Sequence, residues 1–447
     1  MKKIAVNTVI DREKMSPLQW TVFFLGFLVF FCDGLDTGII GFIAPALLDD
    51  WGISKPALAP VLSAALVGMS IGAIISGPLS DKFGRKGVIV MTTLLFSIFT
   101  IMCGFATNTQ ELMLYRFITG IGLGAAMPNI STIVSEYMPL KRKAFLTGLA
   151  GCGFMLGISS GGLMSAYLLE QQGWENVIIM GGIIPIILIV LLITKLPESP
   201  QYLIKQNQQE KARPILEKIQ GHAFDNDTEF YLARSQSSSD QAQSPVQILF
   251  KKYFWGSAML WLCCFTSLMV FYLLTSWMPT ILKTAGFSTQ QFSLIAAIFP
   301  FGGVIGASLM GWYMDKTNPN TVIKYSYLIA FVLFIIAALV SSSILMLGIS
   351  IFLIGALLAG AQSSLLPLSA IFYPAECRAV GVSWMHGIGR IGAIIGAFYG
   401  SLIFTFDLSL SSIFYLLAIP TLISFIALTL KGLKKPNTTK QATAELS

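Results

Sequence analysis

Apolar residues in this chain come in blocks of about 20, separated by short polar turns. A helix rises 1.5 Å per residue, so a block of that length crosses a hydrocarbon core of about 30 Å. No water is present there to satisfy backbone amides, so each block is expected to be helical. Twelve spans are predicted, at roughly 20–42, 58–79, 87–106, 111–134, 144–168, 175–195, 253–280, 289–312, 322–342, 345–368, 380–404 and 409–430. The first follows a charged segment of about 19 residues and continues past two acids without a small-residue cleavage site. It reads as a span and not as a removable signal peptide.

The longest polar stretch, about 196–252, divides the spans six and six. The expected organisation is a cytoplasmic N-terminus (1–19), a six-helix bundle (20–195), a cytoplasmic linker (196–252), a second six-helix bundle (253–430) and a cytoplasmic tail (431–447). Within the linker, "SPQYLIKQNQQEKARPILEKIQG" has helical spacing and predicts short surface helices, and "SQSSSDQAQSP" (235–245) has a flexible composition. The halves echo each other. The turn "GPLSDKFGRKG" (77–87) corresponds to "GWYMDKTNPN" (311–320), and "SEYMPLKRKAFLTG" (135–148) to "IFYPAECRAVGVS" (371–383). Matching turns at matching places are what an internal duplication leaves in a transporter. The fold class predicted is an all-α polytopic membrane protein, with twelve transmembrane helices in two pseudo-symmetric bundles.

Composition agrees. Of the 447 residues, 55% are hydrophobic and 11% charged, against about 25% charged in soluble domains. The net charge of +7 could suggest nucleic acid, but the cations fall in alternate turns. The opposite turns contribute only Lys55 and Lys283, which places both termini in the cytoplasm and leaves no case for a nucleic-acid partner. Six cysteines show no CxxC and read as packing residues, and two histidines give a metal centre almost no material. No cofactor is expected. The chain shows no nucleotide loop and no nucleophile–base constellation, which argues against an enzyme or a membrane sensor.

At "GPLSDKFGRKG" the sequence resembles the major facilitator superfamily, whose signature is G-x-L-a-D-r-x-G-r-k. The segment "RFITGIGLGAAMPN" (116–129) resembles its fourth helix, and "PESPQYL" (197–203) its motif after helix six. "DGLDTGIIGFIAPAL" (33–47) is similar to the first-helix D-G-x-D motif of the aromatic acid:proton symporter family. This resemblance implies a monomeric transporter of the bacterial inner membrane that imports benzoate-class or hydroxybenzoate-class acids with protons. Uptake of another organic anion or a sugar is the alternative, as is drug export by antiport. Against export, "GFMLGISSGG" (153–162) lacks the proline of the antiporter signature.

Asp33 and Asp36 are three positions apart and share roughly one helix face. A carboxylate at membrane depth is costly and normally faces a polar cavity or the protein interior. Two neighbouring acids disfavour double ionisation, so at least one is expected to carry a proton, although either could simply lock helices together through an arginine. Arg116 and Arg390 are the cations deep inside spans, away from their ends, and a guanidinium fork fits a carboxylate. Arg390, with His386 one turn before it, is expected to hold the substrate carboxylate. Arg116 is expected to pair with the acids or to serve as a second substrate ligand. Trp384 and Tyr399, with Trp277 and Phe301, are aromatic candidates for the substrate ring. "GIGRIG" (387–392) matches the dinucleotide fingerprint only formally, because it lies mid-span, and its glycines read as helix packing, like Gly120, Gly122 and Gly124. In the cytoplasmic turns, Asp81, Arg85, Glu136 and Arg142 are gate candidates, with Glu376 and Arg378 as second-half counterparts. Such charges can bias a two-state equilibrium without touching substrate.

Overall fold

The computed structural model describes residues 2–225, 227–232, 244–406 and 408–433. The flexible stretch expected at 235–245 falls outside the described residues up to 243, and the tail does so from 434.

The chain begins with strand β1 (Lys2–Ala5) and a short helix α1 (Val6–Ile10). Spanning helices α2 (Pro17–Trp51), α3 (Lys55–Phe83), α4 (Arg85–Cys103) and α5 (Thr109–Tyr137) follow. Helix α6 (Lys143–Lys195) has 53 residues, about 80 Å at the helical rise and more than twice a bilayer core. It is broken at Gly173, whose φ of 78° is a conformation that side chains resist. The predicted fifth and sixth spans are its two arms. Among the described residues, eleven helices are long and apolar enough to cross a membrane, and the break at Gly173 makes twelve spans.

Short helices α7 (Pro200–Lys205), α8 (Gln209–Gln220) and α9 (Pro245–Lys252) occupy the linker, as expected. Strand β2 (Thr228–Tyr231) was not expected; it pairs in parallel with β1, Lys2 opposite Thr228 and Ala5 opposite Tyr231. The second half comprises α10 (Phe254–Thr284), α11 (Thr289–Lys316), α12 (Pro319–Leu339), α13 (Ile344–Ile354), α14 (Gly360–Phe372), α15 (Arg378–Tyr399) and α16 (Leu410–Leu433). A π-helical turn (Gly355–Ala359) joins α13 to α14 into one span, and a 3₁₀ segment (Gly400–Phe406) extends α15. Polar caps start the helices where turns end: Asn108 accepts from Glu111 N, and Ser288 closes a capping box with Gln291.

Glycines bring the helices together, because lipid tails give no hydrophobic drive and backbones must approach closely to gain dispersion contacts. Gly34 meets the Phe154 carbonyl while Gly157 meets that of Phe31, so α2 and α6 cross on reciprocal small residues. Gly120 and Gly124 of α5 sit on Ala65 and Met69 of α3, and Gly68 and Gly72 return the contact. The second half repeats the device: Gly392 and Gly396 of α15 lie on Phe265 and Met269 of α10, and Gly306 of α11 on Ala356. The packing role read for "GIGRIG" and for Gly120, Gly122 and Gly124 therefore holds, although Gly387 itself meets nothing within 4 Å. Gly306→Val is expected to lower folded yield sharply, since its Cβ would overlap the Ala356 carbonyl and overpacking costs about 1–3 kcal/mol. Gly311→Val on the same helix opens onto free space and should be tolerated. Size-exclusion profiles of the two variants in detergent make the comparison.

Two compact units follow the sequence halves with an exchange. The first comprises Met1–Ile40, Ala64–Gly161 and Gln171–Ser238, and the second Gly41–Ser63, Gly162–Glu170 and Ser239–Ser447, each as far as its residues are described. The end of α2 and start of α3 thus belong with α10. Gly41 lies against the Thr275 carbonyl, an approach only a residue without a side chain permits.

Candidate functional site

The first unit holds the buried charges. Asp36 on α2 and Arg116 on α5 are each 1% exposed and form an ion pair, Nη1 to Oδ2 at 2.8 Å. Arg116 Nη2 also reaches the backbone oxygen of Asp36 at 3.5 Å, and Thr100 on α4 donates to the other carboxylate oxygen. Three helices therefore converge on one carboxylate. Asp33, one turn earlier and equally buried, accepts from Thr37 Oγ1 at 3.5 Å. Arg116 Nε, Thr119 Oγ1 and Thr93 Oγ1 are buried without a hydrogen-bond partner. Buried donors of this kind normally bind water or ligand. Of the two expectations for Arg116, the acid pair is the one seen.

The cytoplasmic turn of this unit is a second charged cluster. Gly84, with φ of 80°, turns the chain between α3 and α4, and a Cβ there would strike the Glu198 carboxylate. Glu198 instead receives the amides of Arg85 at 3.0 Å and Lys86 at 3.2 Å, an anion seated on a helix N-terminus. Arg85 pairs with Glu136 and donates to Ser199 Oγ at 3.3 Å, and Ser199 donates in turn to Glu136. Asp81 pairs with Lys205 at 3.1 Å, both exposed. The partner of Glu136 is thus Arg85; Arg142 is exposed, and no described acid forms an ion pair with it. Glu198, Ser199 and Lys205 were not singled out in sequence, although "PESPQYL" carries the first two. In the second unit Glu376 and Arg378 are exposed, and Arg378 Nε donates to the Tyr373 carbonyl at 3.2 Å.

Helix α15 carries the second-unit candidates. His386 and Arg390 lie one turn apart on one face, His386 exposed and Arg390 half-buried. The face that packs against α10 is set by Gly389 and Gly392, which meet Cys264 and Phe265. At 100° per residue Trp384 lies about 120°, and Tyr399 about 180°, around α15 from Arg390. Trp384 stacks on Trp261 with centroids 5.7 Å apart and meets Phe250 edge-on, a packing cluster. Neither aromatic shares the helical face of Arg390. Trp277 is fully buried and donates to the Ala397 carbonyl at 2.7 Å, while Phe301 is exposed. The six cysteines form no disulfide. Burial raises the Cys377 thiol above its ordinary range, and the Glu376 charge adds to it, as suits a packing residue.

The arrangement has relatives. The Major Facilitator Superfamily profile matches residues 26–396. A 4-hydroxybenzoate transporter of Pseudomonas aeruginosa is 41% identical over 435 residues, covering 97% of each chain. A gallate transporter of Pseudomonas putida is 38% identical over 445 residues, covering 99% of this chain and 98% of its own. Among solved structures, the D-xylose–proton symporter superposes with a TM-score of 0.68 at 17% identity, over 92% of this chain and 97% of that one.

Proposed function

This chain belongs to the major facilitator superfamily, among its aromatic-acid transporters, and from that premise we propose that it imports a small aromatic carboxylate with protons by alternating access. The observation that carries the reading is the buried Asp36–Arg116 pair with Asp33 one turn away, inside a helix long enough to span the bilayer. Relatives named for 4-hydroxybenzoate and gallate support the substrate class. Its membrane is the bacterial inner membrane, with both termini in the cytoplasm because the basic turns belong on that side.

Energetics set the need for protons. A monocarboxylate entering an inside-negative cell climbs about 2.3 kcal/mol per 100 mV. One proton cancels that charge, and a second lets the potential drive uptake. Acids in the spans supply the carrier. Arg85, Glu136 and Asp81, with Ser199, Glu198 and Lys205, form the cytoplasmic switch, whose ion pairs stabilise one state more than the other.

The test is accumulation of labelled 4-hydroxybenzoate in proteoliposomes under an imposed pH gradient. Loss of accumulation when a protonophore collapses the gradient supports the reading; uptake indifferent to the gradient rejects it. Arg390 supplies the substrate's charge partner. Arg390→Ala is expected to weaken binding about 10- to 100-fold, the worth of a charge-assisted hydrogen bond, while Arg390→Lys keeps most of it. Equal affinities for 4-hydroxybenzoate in wild type and Arg390→Ala, measured by calorimetry, would move the anchor elsewhere.

A further inference from the structure

Lys55 and Lys283 are the two cations that the sequence places on the side opposite the basic turns, and nothing in the positive-inside pattern requires them there. They are 228 residues apart in sequence, yet in the second unit they line one cleft, with Asp49, Thr280 and Thr284. We propose that Lys55, Thr284 and Phe404 form a recruitment site for small aromatic carboxylates on the outer face. The proposal rests on the aromatic-carboxylate reading above and extends it to a second, external site.

The two lysines are not equivalent. Lys283 pairs with Asp49 and donates to the Pro45 carbonyl at 3.2 Å, so its charge is matched. Lys55 forms no ion pair with a described acid. Its Nζ donates to Thr284 Oγ1 at 3.2 Å and lies over the Phe404 ring at 4.3 Å from the centroid. Two lysines against one aspartate leave the cleft one positive charge. Beside Lys55 opens a cavity of ≈ 220 Å³, walled by Ile281, Ile403, Phe404, Leu408 and Ile413. A mainly apolar recess lined also by one cation, Lys55, and two hydroxyls, Thr284 and Ser409, is complementary to a ring bearing a carboxylate. Thr280 Oγ1 in the adjoining cleft is buried without a hydrogen-bond partner, one more donor for an anion.

Phe404 is held in place for this role. Its ring packs on Trp277 with centroids 5.5 Å apart, and Trp277 is fixed by its bond to Ala397 and by Gly400, where any side chain would strike the indole. The contacts Lys55 now makes are weak, so a carboxylate can replace the Thr284 hydroxyl as its partner while the ring lies along Phe404. An uncompensated cation in water also attracts anions over a Debye length, about 8 Å at physiological salt, and raises their local concentration.

A recruitment site changes how substrate arrives and leaves the turnover of bound substrate untouched. In proteoliposomes, Lys55→Gln is expected to raise the KM for 4-hydroxybenzoate about five-fold at unchanged Vmax, the scale of a solvent-exposed charge contact. The decline of Vmax/KM with added salt should flatten in the same variant. Lys55→Arg should restore both, and Phe404→Leu should raise KM less. An unchanged KM in Lys55→Gln, or a changed Vmax at constant KM, overturns the proposal; the second result would make Lys55 a conformational latch. A binding readout separates this site from the transport reading. Fluorine NMR of 4-fluorobenzoate with the purified full chain should show line broadening that Lys55→Gln reduces. If wild type fails to accumulate substrate yet broadening still depends on Lys55, the transport reading falls and the site stands. If wild type accumulates substrate and broadening is indifferent to Lys55, the site falls alone.

Discussion

Replacing Asp33 by Asn is expected to abolish concentrative uptake while leaving exchange of internal for external substrate. The two acids of α2 occupy different environments. Asp36 is engaged by Arg116 and Thr100 and lies in an ion pair 1% exposed on both sides. A guanidinium does not release its proton in a protein, and its planar fork suits a carboxylate partner. Without a carboxylate beside it Arg116 would be an isolated charge away from water, which is costly. Asp33, equally buried one turn earlier, is the acid we propose as the proton carrier. Asn keeps the shape and the polarity but cannot bind and release a proton. The electrical climb of about 2.3 kcal/mol per 100 mV then goes uncompensated, and the steady-state accumulation ratio falls to its electrochemical equilibrium without proton drive. Counterflow needs substrate binding and the conformational change only, so it should persist. The measurement pairs pH-gradient uptake with counterflow in the same proteoliposomes. Full accumulation by Asp33→Asn would assign the proton elsewhere.

The spans were legible because an apolar block of bilayer length is a strong signal, and the acids and arginines because charges inside such blocks are rare. The sequence could not show which charges meet. Arg85 reads as a neighbour of Asp81, yet its ion-pair partner is Glu136, on the far end of α5, and its amide caps onto Glu198 from beyond α6. These choices depend on how α3, α5 and α6 end at one place, and residue spacing does not encode that. The β1–β2 pairing was invisible for a related reason: two four-residue strands lie more than 200 residues apart, and neither shows a long alternating pattern. The linear division at 195 and 253 also missed that Gly41–Ser63 and Gly162–Glu170 group with the second half. Gly41, the residue that permits one of those approaches, looks like any helix glycine until its neighbour is known. An aromatic such as Trp384 on α15 serves packing as readily as binding, and its stack on Trp261 depends on how α10 and α15 meet, which residue spacing does not encode.

The Asp36–Arg116 pair sets the second large expectation, on stability. Arg116→Leu leaves the Asp36 carboxylate buried among α2, α4 and α5 without its ion-pair partner, with the Thr100 hydroxyl still donating to it. Removing one partner of a buried pair costs about 3–5 kcal/mol, a large share of a net stability of about 5–15 kcal/mol. Arg116→Leu should therefore lose most of its folded yield, and Asp36→Leu should do so for the opposite reason, a stranded guanidinium. The double variant strands neither charge, and replacing a buried pair by apolar residues is often neutral. It is expected to recover a folded, monodisperse protein that shows no proton-driven uptake. Thermal unfolding in detergent, followed by fluorescence, gives the three melting temperatures. A double variant no more stable than either single would mean that the two charges are held independently, each by other groups. The bond from Arg116 to the Asp36 carboxylate at 2.8 Å would then be a by-product of packing and not its cause. Recovery of folding without recovery of coupling would separate two roles of this pair: holding three helices together, and supporting the proton coupling proposed for α2.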